Sequence, residues 1–207
     1  MQKRIPNKLA IFDFDGTLTT RDTTFGFIFF YAGSIKAIVS LLYILPMVVS
    51  AKLGKVKMQA VKEKLFQSVL GGHTVGNVKI HGNLFSTHKI PLILHPVVYP
   101  EMKKLREEGF EILLLSASCS LWLEQWCERE KILLLCSELE VENGCYTGNL
   151  KGKNCYGEQK VVRLREVYDL NRISEIVAYG NHHSDSYYMK LADKSFMVNG
   201  SNVLPYE

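Results

Sequence analysis

The 207-residue chain carries 25 basic and 21 acidic side chains, a net charge of +4 with histidine neutral, and 47% apolar residues. That length buries one good core with room for a small inserted domain, and the thin, interspersed basic excess suits anionic phosphate substrates while arguing against nucleic acid as a partner. Five cysteines, an odd number without a Cys-x-x-Cys pair, point away from a disulfide framework or a zinc site and toward reduced thiols in the cytoplasm, and the N-terminus shows no secretion signal before the first apolar run.

The first predicted element is a strand, Leu9-Ala10-Ile11-Phe12, which leads into Asp13-Phe14-Asp15-Gly16-Thr17-Leu18-Thr19. Carboxylates at i and i+2 of an extended segment face the same way, and the Gly-Thr step ends the strand with both at its carboxyl tip, where open α/β sheets place chemistry. A strand running into an ordinary acidic turn would give the same local pattern.

Residues 24–95 hold almost nothing that reads as a buried parallel strand. They predict an inserted helical cap, with Gly71-Gly72 as an internal break and Pro91 and Pro96 marking the return. The expected division is therefore a core of residues 1–23 and 96–207 with a cap of residues 24–95. The cap opens with Phe25–Ala51, whose only charge is Lys36. Its uncharged run, Ala37–Ala51, is short of the roughly 18 residues that span a bilayer, and Pro46 weakens a continuous span, so a buried pair of cap helices is expected. The aromatic cluster Phe25, Phe27, Phe29, Phe30 and Tyr31 keeps open a surface that meets a membrane or an acyl chain.

From about residue 96 onward, strand-length apolar runs alternate with helical stretches, the rhythm of a parallel sheet. Helices are expected over 98–109 and 119–130, strands over 112–115, 132–137, 175–179 and 195–198, and a β-hairpin about Asn143-Gly144. The strand Ile112-Leu113-Leu114-Leu115 ends in Ser116-Ala117-Ser118. Lys160 follows Asn154-Cys155-Tyr156-Gly157-Glu158-Gln159, and the strand Glu175–Tyr179 runs into Gly180-Asn181-His182-His183-Ser184-Asp185. Taken singly, Ser116 reads as a helix N-cap, Lys160 as a solvated lysine, and the two histidines as loop residues without a third metal ligand.

In this order the four stretches resemble the motifs of the haloacid-dehalogenase-like superfamily, and their details resemble its phosphoserine-phosphatase-like branch with a helical cap. The resemblance covers the whole chain and implies a Rossmann-like α/β core of parallel strands with an α-helical cap inserted after the first motif. It implies a phosphatase in which Asp13 is the nucleophile, forming an aspartyl-phosphate, and Asp15 the general acid and base. Ser116, the backbone N–H of Ala117 and Lys160 would hold the phosphate. Magnesium would be held by Asp13, the carbonyl of Asp15 and the first acidic residue of the last motif. That position is Asn181 here, an oxygen ligand without charge; Asp185, one helical turn on, is placed to restore the charge directly or through water.

The substrate expectation departs from the branch. Phosphoserine phosphatases carry a glutamate nine residues after the nucleophile to hold the substrate ammonium, where this chain has Asp22, and a cap arginine for the carboxylate, whereas residues 25–95 contain none. Lys55, Lys57, Lys62 and Lys64 supply charge without arginine's bidentate fork. The apolar cap predicts a phosphate on a greasier body, including a lipid-linked one, with weak membrane association; some relatives with such a cap act on phosphatidylglycerol phosphate. Phosphoserine hydrolysis, phosphoryl transfer to an alcohol, and phosphate binding without turnover stay open.

Overall fold

The computed structural model describes residues 3–206. In chain order the elements are β1 (Lys8–Phe12), α1 (Thr23–Lys52), α2 (Met58–Leu70), α3 (Val75–His88), α4 (Val98–Glu107), β2 (Glu111–Cys119), α5 (Ser120–Glu130), β3 (Leu133–Ser137), β4 (Leu139–Glu142), β5 (Cys145–Leu150), α6 (Glu158–Val167), β6 (Glu175–Gly180), α7 (Ser186–Met189), β7 (Lys194–Asn199) and β8 (Asn202–Pro205). Six strands form one sheet in the order β3-β2-β1-β6-β7-β8, parallel except for β8, which returns antiparallel to β7.

The apolar runs become strands because both faces of the sheet are covered. Along β1, β2 and β6, side chains alternate between two cores. Ala10, Phe12, Leu114 and Tyr179 point to the side that also holds the inserted helices, while Leu9, Ile11, Leu113 and Ala178 pack with Leu164 of α6 and with Tyr188 and Met189 of α7. Phe12, the last residue of β1, is in register with Leu114 on one side and Tyr179 on the other; β6 ends one residue beyond Tyr179 while β2 continues to Cys119, so the residues that follow this level come together. The chain runs outward from β1 through β2 to β3 and then crosses to β6 on the opposite flank. This makes the tip of β1 the switch point where such sheets bind ligands. Strand β8 lies outside the sequence expectation: a four-residue edge strand ending in Pro205 pairs on one side only and lacks the apolar run that marks its neighbours.

Helices α1 to α3 form the insertion. It leaves and re-enters the core along adjacent segments, with Thr20 N–H donating to the Ile93 carbonyl at 2.8 Å and His95 N–H to the Leu18 carbonyl at 2.8 Å. The β4–β5 hairpin, at the expected Asn143-Gly144 turn, joins this layer: the Gly72 amide donates to the Tyr146 carbonyl at 2.9 Å and the Tyr146 amide to the His73 carbonyl at 3.0 Å.

The buried pair of helices expected at the start of the cap is corrected by the structure. Gly33, at φ 75°, breaks α1 into two pieces, but only 22% of its most apolar stretch is buried. Beyond the break α1 packs through Ala37, Ser40 and Ile44, and no element among the described residues covers its other side, where Ile35, Val39 and Leu42 lie exposed.

Candidate active site

The site is assembled from the tips of β1, β2 and β6 and the first turn of α6. The Asp13 amide extends the sheet ladder by donating to the Tyr179 carbonyl at 3.0 Å, and its side chain is buried with Oδ1 accepting from Lys160 Nζ at 2.6 Å. The chain then turns through Gly16 at φ 79°, where a Cβ would lie 2.2 Å from Nδ2 of Asn181, so glycine is required both for the turn and for the close approach of the β6 loop.

Lys160 is almost wholly buried, at 2% exposure, and bridges two carboxylates, with Asp185 Oδ1 at 2.7 Å as the second. Burial alone would push its ammonium down; Asp13 and Asp185 outweigh burial and hold it above the ordinary lysine value. Burial raises the Asp13 carboxyl, Lys160 offsets part of that and the charges of Asp185 and Asp15 add to it, so that it stands at about 7.

The second oxygen of Asp185 accepts the amides of Asn181 and His182, each at 3.1 Å. Both Asp185 oxygens are therefore engaged in orienting Lys160 and pinning the last-motif loop. Asn181 sits at the front of that loop, over Gly16. His182 serves the loop itself, its Nδ1 accepting the Ser184 amide at 3.2 Å.

Asp15 points toward the insertion. Its Oδ1 accepts from both the amide and the hydroxyl of Thr23 at 2.6 Å, its Oδ2 accepts from the Ser118 hydroxyl, and Trp122 Nε1 donates to the Thr23 hydroxyl at 3.0 Å. These three positioning residues escape sequence reasoning in that role, because Ser118 and Trp122 lie about a hundred positions from the groups they hold. Ser116, buried beside Asp13, accepts the Ser118 amide at 3.0 Å, which leaves its own hydroxyl hydrogen to donate elsewhere.

These groups floor a cavity of about 590 Å³ whose far wall is apolar, with Leu41, Ile44, Leu45 and Val48 from α1 and Val61 and Leu65 from α2. Lys62 reaches across from α2 to the core, donating to the Ala117 carbonyl at 2.5 Å. Of the four cap lysines considered from sequence it is the one that lines the cavity; Lys64 lies over the Tyr43 ring, and Lys55 and Lys57 are exposed. Asp22, also at the cavity, caps α1 by accepting the Phe25 amide at 2.9 Å, and desolvation by the crowded mouth, together with Asp15, pushes its carboxyl up to about 6.

The sequence profile of the haloacid dehalogenase-like hydrolases matches residues 10–190, which embrace every group described above. The chain belongs to that family. Protein CicA of Caulobacter vibrioides is 29% identical over 191 residues, covering 90% of this chain and 83% of the relative. Among solved structures, a Bordetella pertussis Tohama I protein of unknown function superposes with a TM-score of 0.79 at 19% identity, over 92% of this chain and 89% of that one. A phosphoserine phosphatase in the form of a phospho-aspartyl intermediate analogue superposes with a TM-score of 0.58 at 20% identity, over 94% and 86% of the two chains. The core thus has the fold of the phosphoserine phosphatase-like hydrolases.

Hydrolases of this family generally use magnesium, and the donors at the tip of β1 fit it. The second oxygen of Asp13 has no partner among the described residues, and the Asp15 carbonyl and the Asn181 side-chain oxygen, on residues lining the same cavity, are the further oxygen donors that would hold it. No cluster of three or more His, Cys, Asp or Glu among the described residues offers a softer site.

Proposed function

We propose that the chain is a magnesium-dependent phosphomonoesterase that acts through an aspartyl-phosphate on Asp13 and prefers esters with an apolar body, lipid-linked phosphates included. One observation carries this reading: a single cavity joins the Asp13–Lys160–Asp185 floor to an apolar wall from α1 and α2.

Asp13 would attack phosphorus in line, forming the acyl-phosphate bond as the ester P–O bond breaks, while Asp15 gives its proton to the departing alkoxide. Asp15 then takes a proton from the water that attacks phosphorus, releasing phosphate and restoring the Asp13 carboxylate. Lys160 and the Ser116 hydroxyl donate to the phosphoryl oxygens where charge accumulates, and the Thr23 and Ser118 bonds keep Asp15 in one orientation. Magnesium at Asp13, the Asp15 carbonyl and Asn181 would supply a positive charge that favours the ionised nucleophile and neutralises phosphate. Support for the covalent step comes from the phosphoserine phosphatase of the same fold, whose solved form is a phospho-aspartyl intermediate analogue.

Phosphoserine itself fits this cavity poorly. An ammonium and a carboxylate each need a fixed opposite charge when desolvated, and the cavity offers Asp22, one methylene shorter than a glutamate, and Lys62, without arginine's bidentate fork. The apolar wall favours a body that loses water gladly, at roughly 25 cal/mol per Å² covered. The reading places the enzyme in the cytoplasm, where its free thiols stay reduced.

The test is kcat/KM with magnesium for phosphoserine against a short-chain lipid phosphate, with glycerol present to reveal transfer to an alcohol. A clear preference for the lipid phosphate is expected; preference for phosphoserine would sink the substrate reading, and glycerol phosphate as the main product would make the chain a phosphotransferase.

A further inference from the structure

We propose that the outer face of α1 beyond Gly33 docks the protein flat on a bilayer that contains anionic lipid. The inference goes beyond the phosphatase reading and does not rest on it, since this face lies outside the cavity.

Past the break, α1 divides into faces by its own periodicity. Ala37, Ser40 and Ile44 are turned inward, and Leu41, Leu45 and Val48 line the cavity. Ile35, Val39, Leu42, Pro46, Val49 and Leu53 recur at alternating intervals of four and three residues, which sets them on one stripe. That stripe faces water: Ile35 is 83% exposed, Val39 60%, Leu42 63%, Val49 51% and Leu53 67%. It runs for about five helical turns, a length of contiguous apolar surface that soluble monomers seldom leave bare.

Charge selects the occupant. From Thr23 to Lys62 the chain contains no Asp or Glu. Exposed Lys36 stands near one end of the stripe and exposed Lys52, Lys55 and Lys57 at the other, and none of them has a carboxylate partner among the described residues. A second copy of this chain laid on the stripe would oppose lysine with lysine. An anionic bilayer surface offers the missing negative charge at the rim and apolar depth along the stripe, the two terms that hold an interfacial helix. The helix does not cross the bilayer in this arrangement, because its inward face is occupied by the protein. Leu45, which both lines the cavity and is half exposed, marks where the docked face meets the cavity, so docking brings that edge to the headgroup level.

The test is co-sedimentation of the full chain with phosphatidylcholine vesicles and with vesicles that also contain phosphatidylglycerol, at low and high salt, for the wild type and the double variant Leu42→Glu, Val49→Glu. Turnover of a soluble aryl phosphate is measured alongside. The wild type is expected to partition at least ~10-fold better onto the anionic vesicles, with the preference falling at high salt, and the double variant to lose that binding at unchanged aryl phosphate turnover. Equal binding to both vesicle types, binding by the variant equal to wild type, or a wild-type dimer that the two substitutions dissociate would overturn the proposal, the last by giving the face to a second copy. Loss of aryl phosphate turnover by the wild type would strike the phosphatase reading alone.

Discussion

At the scale of single residues, the floor of the cavity is a chain of charges in which each group sets the next. Asp13→Asn keeps the volume and deletes the attacking oxygen, so turnover should fall by at least ~1000-fold while circular dichroism and melting stay those of a folded protein. Asn181→Asp adds a charge to a neutral ligand position and should lower the magnesium concentration for half-maximal activity. If the midpoint of the magnesium titration does not move, Asn181 is not a ligand. Asp22 gives a pH signature. Its folded carboxyl sits at about 6, above the ordinary value of 3.8 that the unfolded chain has. The folded state therefore holds the proton longer, and stability is lost as pH rises from about 4 through about 6, beyond which the penalty is constant. Asparagine caps a helix as well as aspartate, so Asp22→Asn should melt higher than wild type at pH 8 and equally at pH 3.5. Because Asp22 is exposed to water, which screens the interaction, the gain is below about 1 kcal/mol; a gain confined to low pH would contradict the assignment.

At the scale of elements, close backbone approach decides how the helical layer sits. Gly148 of β5 is at φ 86°, and a Cβ there would lie 2.4 Å from the Gln67 backbone nitrogen in α2. Gly148→Val should separate hairpin from helix and cost about 2–4 kcal/mol, read as a lower urea midpoint. The same elements show what could be read in advance. Strands β1, β2 and β6 were legible because burial on both faces leaves uninterrupted apolar runs; Asp13, Asp15, Ser116, Lys160 and Asn181, singled out by the order of the motifs rather than by any one residue, line one cavity. The hairpin turn was legible from Asn143-Gly144, but its docking on α2 was not, since a glycine needed for contact looks like any other. Nor was the exposure of α1: an apolar helix reads as buried until the elements that would cover it are counted in space. The bonds from Ser118 to Asp15 and from Trp122 to Thr23 join segments far apart in the chain and leave no local trace.

At the scale of the whole molecule, the cavity belongs to neither layer alone: the sheet supplies the charged floor and the inserted helices the apolar wall, with Lys62 spanning the gap. Chemistry and substrate choice should therefore separate under mutation. Leu45 is suited to the test, because it lines the cavity yet is 52% exposed, so a polar replacement leaves a solvent route for its new charge and the fold is spared. Leu45→Asp removes apolar cover from a bound acyl or aromatic body and places a carboxylate against it. Losing most of one leucine's contact, about 1.5 kcal/mol, corresponds to a roughly tenfold rise in KM for a short-chain lipid phosphate. Acetyl phosphate has no body to reach the wall, so its kcat/KM should stay within about twofold of wild type; the paired measurement isolates the wall from the floor. An equal loss on both substrates would mean that α1 acts on the catalytic groups themselves, and no loss on either would mean that substrates bind at the floor without touching the helices.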